Sequence, residues 1–179
     1  MRDPVLFLAL SALIVGLAAA AVQPKREGFV LTSPAFGAGE RIPKVYTCDG
    51  ADESPALFWS GAPEGTGAFA LICDDPDAPV GTWTHWVLYD IPAAQTKLHE
   101  GTPPSPGLPD GAKQGLNSWK RVGYGGPCPP PGKPHRYFFV LYALDAPLGL
   151  APGATKEQVQ AAMKGHLLGR AELMGVYGR

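Results

Sequence analysis

Short apolar runs rich in aromatic and β-branched residues, each closed off by proline, glycine or aspartate, constrain this chain more than any other feature. The runs are Phe29-Val30-Leu31, Lys44-Val45-Tyr46-Thr47, Ala56-Leu57-Phe58-Trp59, Ala68 to Asp74, Thr82 to Ile91 and His135 to Leu144. Between them stand Ser33-Pro34, Asp49-Gly50, Ala62-Pro63-Glu64-Gly65, Asp75-Pro76-Asp77-Ala78-Pro79 and Ile91-Pro92. Proline removes a backbone donor and fixes φ, and glycine and aspartate favour turns, so these segments break helices and redirect the chain. Several short strands at this spacing predict an antiparallel β-sandwich. Glycine (23) and proline (20) approach the share found in disordered chains, but 45% of the 179 residues are hydrophobic, enough for one sizeable core. The stretch from Thr96 to Pro134 is dominated by Gly, Pro, Asn and Ser, and so long a loop inside a compact domain is usually functional or mobile.

One helical region is expected near the end. Thr155 and Gln158 have the spacing of a capping box, and Glu157 suits the positive end of the helix dipole. Val159, Met163, His166/Leu167 and Arg170 follow at helical spacing, and Leu173-Met174 continues the apolar stripe. Gly165 and Gly169 interrupt it, so one or two short helices are predicted to pack on the sandwich, with His166 as a packing residue.

The N-terminus reads as a targeting segment. Val5 to Val22 carries no charge and is mostly aliphatic, after a short stretch whose positive groups are Arg2 and the α-amino group. Ala18-Ala19-Ala20 has the small residues of a signal peptidase site. Residues 1–21 are therefore expected to be a signal peptide, with an uncleaved anchor as the alternative. Either way the domain from residue 28 to 179 is expected to work outside the cytoplasm, periplasmic or secreted. Cysteine usage fits that compartment in part. Cys73 lies in a buried-strand pattern and reads as a core thiol, while the loop contexts of Cys48 and Cys128 make them the favoured disulfide.

Net charge narrows the partners. Lys+Arg 15 against Asp+Glu 16 leaves −1, without the basic excess of a nucleic-acid-binding domain. Three segments place ionisable groups beside rigid prolines: Asp74-Asp75-Pro76-Asp77-Ala78-Pro79, Trp83 to Asp90, and Gly123 to Gly132 running into His135-Arg136-Tyr137. Strand alternation puts His85, Val87 and Tyr89 on one face and Trp86, Leu88 and Asp90 on the other. Two histidines, a tyrosine and the N–H groups of a glycine-rich loop could cradle an anion.

Asp75-Pro76-Asp77-Ala78-Pro79, His85-Trp86, Gly125-Gly126-Pro127-Cys128-Pro129-Pro130 and His135-Arg136-Tyr137, in this order, resemble the signature blocks of the phosphatidylethanolamine-binding proteins. Tyr46-Thr47-Cys48-Asp49-Gly50 and Ala162-Met163-Lys164-Gly165-His166 are similar to its bacterial Raf kinase inhibitor-like branch. The resemblance implies a β-sandwich with a small anion-binding pocket at one end. It implies ligand-binding roles for Asp75, Asp77, His85, Gly126, Pro130, His135 and Tyr137. The expected function is that of an exported, non-catalytic binding protein for a small anion, a phosphate or a phospholipid head group, with no cofactor. The alternative is an inhibitor or interaction module acting on a protease or kinase through the Thr96–Pro134 region. A third reading, a hydrolase, would use two Asp and two His as metal ligands or as general acid and base. It lacks support from any Gly-x-Ser-x-Gly elbow, P-loop or HExxH sequence.

Overall fold

The computed structural model describes residues 28–179, so the expected signal peptide lies outside the described residues. Two antiparallel sheets face each other. The smaller contains β1 (Val30–Thr32), β2 (Leu57–Ser60) and β5 (Lys97–Leu98) in the order β1-β2-β5. The larger contains β3 (Ala68–Asp75), β4 (Trp83–Pro92), β6 (Lys113–Gln114), β7 (His135–Leu144) and β8 (Leu167–Tyr177) in the order β6-β4-β3-β7-β8.

The continuous apolar run of β3 is explained by its place at the centre of that larger sheet, covered on both faces. Phe69, Leu71 and Cys73 point into the core between the sheets, with Trp59, Trp86, Leu88, Phe139 and Leu141. Ala70 and Ile72 point the other way and form a second core with Val87, Tyr89, Val159 and Met163. Each large side chain so buried contributes about 1.5–3 kcal/mol relative to exposure. Val159 comes from α1 (Lys156–Ala162) and Met163 caps its C-terminal end; the expected capping box is present at its start. Thr155 Oγ1 accepts from the Gln158 N–H (3.3 Å), and Gln158 Oε1 accepts from the Thr155 N–H (2.8 Å). Among the described residues no helix is long and apolar enough to cross a membrane.

Two expected elements come out differently. Lys44–Tyr46 is a turn of 3₁₀ helix and no strand, because Pro43 sets the entry at φ −59° and its carbonyl accepts from the Tyr46 N–H at 3.0 Å. Thr47 closes the turn through its hydroxyl, which donates to the Lys44 carbonyl at 2.8 Å. The helical stripe expected to run on to Met174 ends at Met163, where Gly165 (φ +86°) turns the chain. Residues 167–177 form β8 instead, paired along β7 from Leu144↔Leu167 to His135↔Tyr177. Ala171, Leu173 and Tyr177 thereby enter the inter-sheet core, a period-two burial that matches a strand. His166, expected to pack, is exposed and its Nδ1 sits 2.7 Å from Asp145 Oδ1.

The Thr96–Pro134 region is pinned rather than loose. Gln114, fully buried, accepts from Trp86 Nε1–H (2.7 Å) and donates to the carbonyls of Pro103 (2.7 Å) and Ser105 (2.9 Å). Cys48 and Cys128 are joined by a disulfide, with Cα atoms 5.4 Å apart, and Cys73 is a buried free thiol.

Candidate ligand pocket

The pocket starts from an irregularity in β4. Cys73 pairs with Trp86 and Asp74 pairs with Thr84, so His85 is the extra residue of a β-bulge. The bulge overturns the alternation expected from sequence. His85 does not share the face of Val87 and Tyr89 but packs edge to face on Tyr137, whose ring belongs to the inter-sheet core (centroids 5.1 Å, 86°). Trp119, from the long loop, meets it in the same manner (5.1 Å, 81°).

Backbone contacts lock the imidazole. The Gly125 carbonyl lies 2.6 Å from His85 Nδ1, and the Gly125 N–H donates to the His85 carbonyl at 2.9 Å. A carbonyl only accepts, so Nδ1 carries a hydrogen. Burial pushes the His85 pKa below the usual histidine range, against the smaller upward pull of the Gly125 carbonyl and of Asp75 and Asp74. The neutral ring thus keeps a lone pair on Nε2, for which no protein partner is found among the described residues.

Asp75 ends β3 and His135 begins β7. Asp75 Oδ1 accepts from the Asp77 N–H (2.8 Å) and Oδ2 from His135 Nδ1–H (2.8 Å). The carboxylate holds the second imidazole by Nδ1 as Gly125 holds the first, leaving Nε2 of His135 for a ligand. Beneath them Tyr137 is fully buried, and burial followed by the charge of Asp75 pushes its phenol well above the usual tyrosine range.

A cavity of about 290 Å³ opens above these groups. Asp75, His85 and His135 form its polar part; Trp83 and Trp119, then Pro79, Val80, Pro129 and Pro130 form its apolar walls. Four of the seven residues implied by resemblance therefore line it: Asp75, His85, Pro130 and His135. Asp77 does not. It forms a bidentate pair with Arg136 (Nε 2.9 Å, Nη2 2.7 Å) and accepts from that residue's N–H, which holds its carboxyl well below the usual range. Gly126 does not line the cavity either: its N–H donates to Asp52 Oδ1 at 2.6 Å, and a Cβ there would collide with the Tyr46 carbonyl. The expected cradle of loop N–H groups is thus spent on protein acceptors at both Gly125 and Gly126. Tyr137 supports His85 from below. Sequence reasoning missed Trp83, Trp119 and Val80, although a tryptophan in a polar, glycine- and proline-rich loop was an available signal for Trp119. With Asp77 turned away, the two-Asp, two-His ligand set is not assembled, and among the described residues no group of three or more His, Cys, Asp or Glu could hold a metal ion.

The sequence model of the family described as phosphatidylethanolamine-binding protein matches residues 32–178, which takes in every strand after β1 and every pocket residue. The chain belongs to the phosphatidylethanolamine-binding protein family. A relative from Methanothermobacter thermautotrophicus, named a UPF0098 protein, is 55% identical over 149 residues, covering 83% of this chain and 98% of its own. A UPF0098 protein from Aquifex aeolicus is 54% identical, covering 82% and 86%. Among solved structures, Escherichia coli YbcL, described as a member of the mammalian phosphatidylethanolamine-binding protein family, superposes with a TM-score of 0.80 at 36% identity, covering 86% of this chain and 99% of that one. The homologue CT736 from Chlamydia trachomatis gives 0.78 at 42%, covering 85% and 98%. The mainly β, two-sheet fold expected from the punctuated runs is that of the family.

Proposed function

We propose that this protein is an exported, non-catalytic binding protein whose pocket holds a small phosphate-bearing ligand. One observation carries the reading: two imidazoles, each anchored by Nδ1 to a protein acceptor, leave both Nε2 atoms for a ligand in one cavity. Anchoring sets ring orientation before a ligand arrives, so little ordering entropy is lost on binding. Protonated His135 would give a charge-assisted donor to a phosphate oxygen, and its charge would offset that of Asp75. Export is supported by the uncharged Val5–Val22 run and by the Cys48–Cys128 disulfide, which suits an oxidising compartment. Calorimetry with inorganic phosphate and phosphoethanolamine tests the pocket. Replacing His135 with Ala should weaken binding roughly tenfold to hundredfold, the equivalent of a lost bond to a charged group. His99→Ala, in the loop outside the cavity, should change nothing; equal losses in both variants would place the ligand elsewhere.

A further inference from the structure

One wall of the cavity is cross-linked to a neighbouring turn by a bond that solvent reaches. The run Pro127-Cys128-Pro129-Pro130-Pro131 contributes Cys128, Pro129 and Pro130 to the lining. Four of its five residues are prolines, so Cys128 alone has a backbone N–H to donate, and the backbone from 124 to 130 lies outside every strand, helix and turn. The run is tied instead through its acceptors and its cysteine. The Pro127 carbonyl accepts from the Cys48 N–H at 3.2 Å, the Pro129 carbonyl accepts from Arg179 Nε–H at 2.7 Å, and Cys128 is bonded to Cys48. All of these ties lead to residues 47–49, the second through Arg179, whose Nη1 lies 3.6 Å from Asp49 Oδ1. Only the disulfide is covalent. Both of its cysteines are exposed, whereas Cys73 is buried in the core.

We propose that Cys48–Cys128 is a thiol-exchange site that gates the cavity: a dithiol reductant opens it in the folded protein, frees the Pro127–Pro131 wall and weakens binding in the pocket. A thiolate arriving at the cavity mouth attacks Cys128 Sγ and forms a mixed disulfide, while the Cys48 sulfur leaves and takes up a proton. The second thiol of the reductant then attacks the reductant's own sulfur in that mixed disulfide. Cys128 leaves as a thiol and the reductant departs as a disulfide, so the two electrons gained by the protein bond are those lost by the dithiol. Exchange requires access to a sulfur, and exposed disulfides are the labile ones. After reduction the wall keeps its two hydrogen bonds but loses the link that fixes Cys128 to the turn. Gly132, at φ +137° with open space around it, then serves as the pivot of the released run. The exchange step stands on the place of the bond alone, and the effect on affinity rests on the phosphate reading above.

Dithiothreitol added to the folded wild-type protein without denaturant tests this. Alkylation after treatment should label Cys48 and Cys128 and spare Cys73. Hydrogen exchange should quicken at Cys128, Gly132 and Lys133 while β3 and β7 keep their protection. Calorimetry with inorganic phosphate should show roughly tenfold weaker binding, as when the closed wall falls to about a tenth of the population, and reoxidation should restore it. The variant carrying both Cys48→Ser and Cys128→Ser should behave as the reduced protein and ignore the reagent. A bond that resists the reductant until denaturant is added, or unchanged exchange in the 128–133 loop, overturns the proposal. Loss of protection throughout β3 and β7 also overturns it, because the bond is then a staple of the whole fold. Unchanged phosphate affinity beside a freed loop overturns the gate while the phosphate reading stands. If the oxidised protein binds no phosphate, that reading falls, and alkylation with hydrogen exchange decides the exchange site by itself.

Discussion

A neutral His85 in the folded protein has a consequence for stability that can be worked out with its sign. Burial depresses the folded pKa of this imidazole, whereas the unfolded chain titrates near the ordinary value of about 6.5. Above that value neither state holds the proton and His85 contributes no pH dependence. As pH falls below it, the unfolded chain binds a proton that the folded site refuses, so stability is lost on acidification. The slope approaches about 1.4 kcal/mol per pH unit until the depressed folded pKa is reached. His85 is 2% exposed, so solvent screening gives no reason to discount the effect. Between pH 7.5 and 5.5 the loss is at most about 1.4 kcal/mol, or roughly 3–6 °C in Tm for a chain of this size, the limit in which the folded site takes up no proton over that range. Urea unfolding of wild type and of His85→Gln across that range isolates it, because His99, His135 and His166 are common to both proteins. The difference curve should fall toward acid. A flat difference curve, or one that rises toward acid, would refute the neutral acceptor and with it the assignment of Nε2 as a lone pair.

Gly126→Ala should destabilise the protein by about 1–3 kcal/mol in the same assay, since the added methyl meets the Tyr46 carbonyl and the Thr47 backbone. A neutral outcome would mean that the 46–52 loop yields easily. Native alkylation should leave Cys73 untouched, because it is buried and its thiol is pushed well above the usual range by burial and by the neighbouring Asp74 and Asp75. Replacing both Cys48 and Cys128 with serine should cost about 2–5 kcal/mol, as their bond closes a loop spanning 80 residues of sequence separation. Equal stability of the double variant and wild type would show that the loop is held without it.

Local chemistry was enough to make parts of this protein legible. Ala68–Asp74 and His135–Leu144 read as strands because their apolar runs are bounded by turn residues, and β3 and β7 occupy those positions. Thr155 and Gln158 announced a helix start because a capping box is satisfied within four residues. Asp75, His85, Pro130 and His135 were found by motif resemblance, and the cavity gathers all four. What the sequence determined by itself was therefore the set of elements whose cause lies within a few residues, and the order of the pocket motifs along the chain.

The tertiary structure decided whatever depended on a distant partner. Residues 167–177 carry a stripe compatible with a helix, but the edge of β7 offers a full ladder and the inter-sheet core takes Ala171, Leu173 and Tyr177. A short helix containing glycine gains little on its own, and tertiary pairing outweighs that propensity. Alternation alone puts His85 on the face of Val87 and Tyr89, whereas a bulge, defined only by the register between β3 and β4, turns it toward Tyr137. Asp77 and Gly126 sit within pocket motifs yet serve Arg136 and Asp52, partners 59 and 74 residues away in sequence. A side chain's neighbours in sequence fix its conformational preferences, but which donor or acceptor it meets is set by strand register and sheet order. In this protein that register gives one imidazole a carboxylate to donate to and the other a backbone carbonyl.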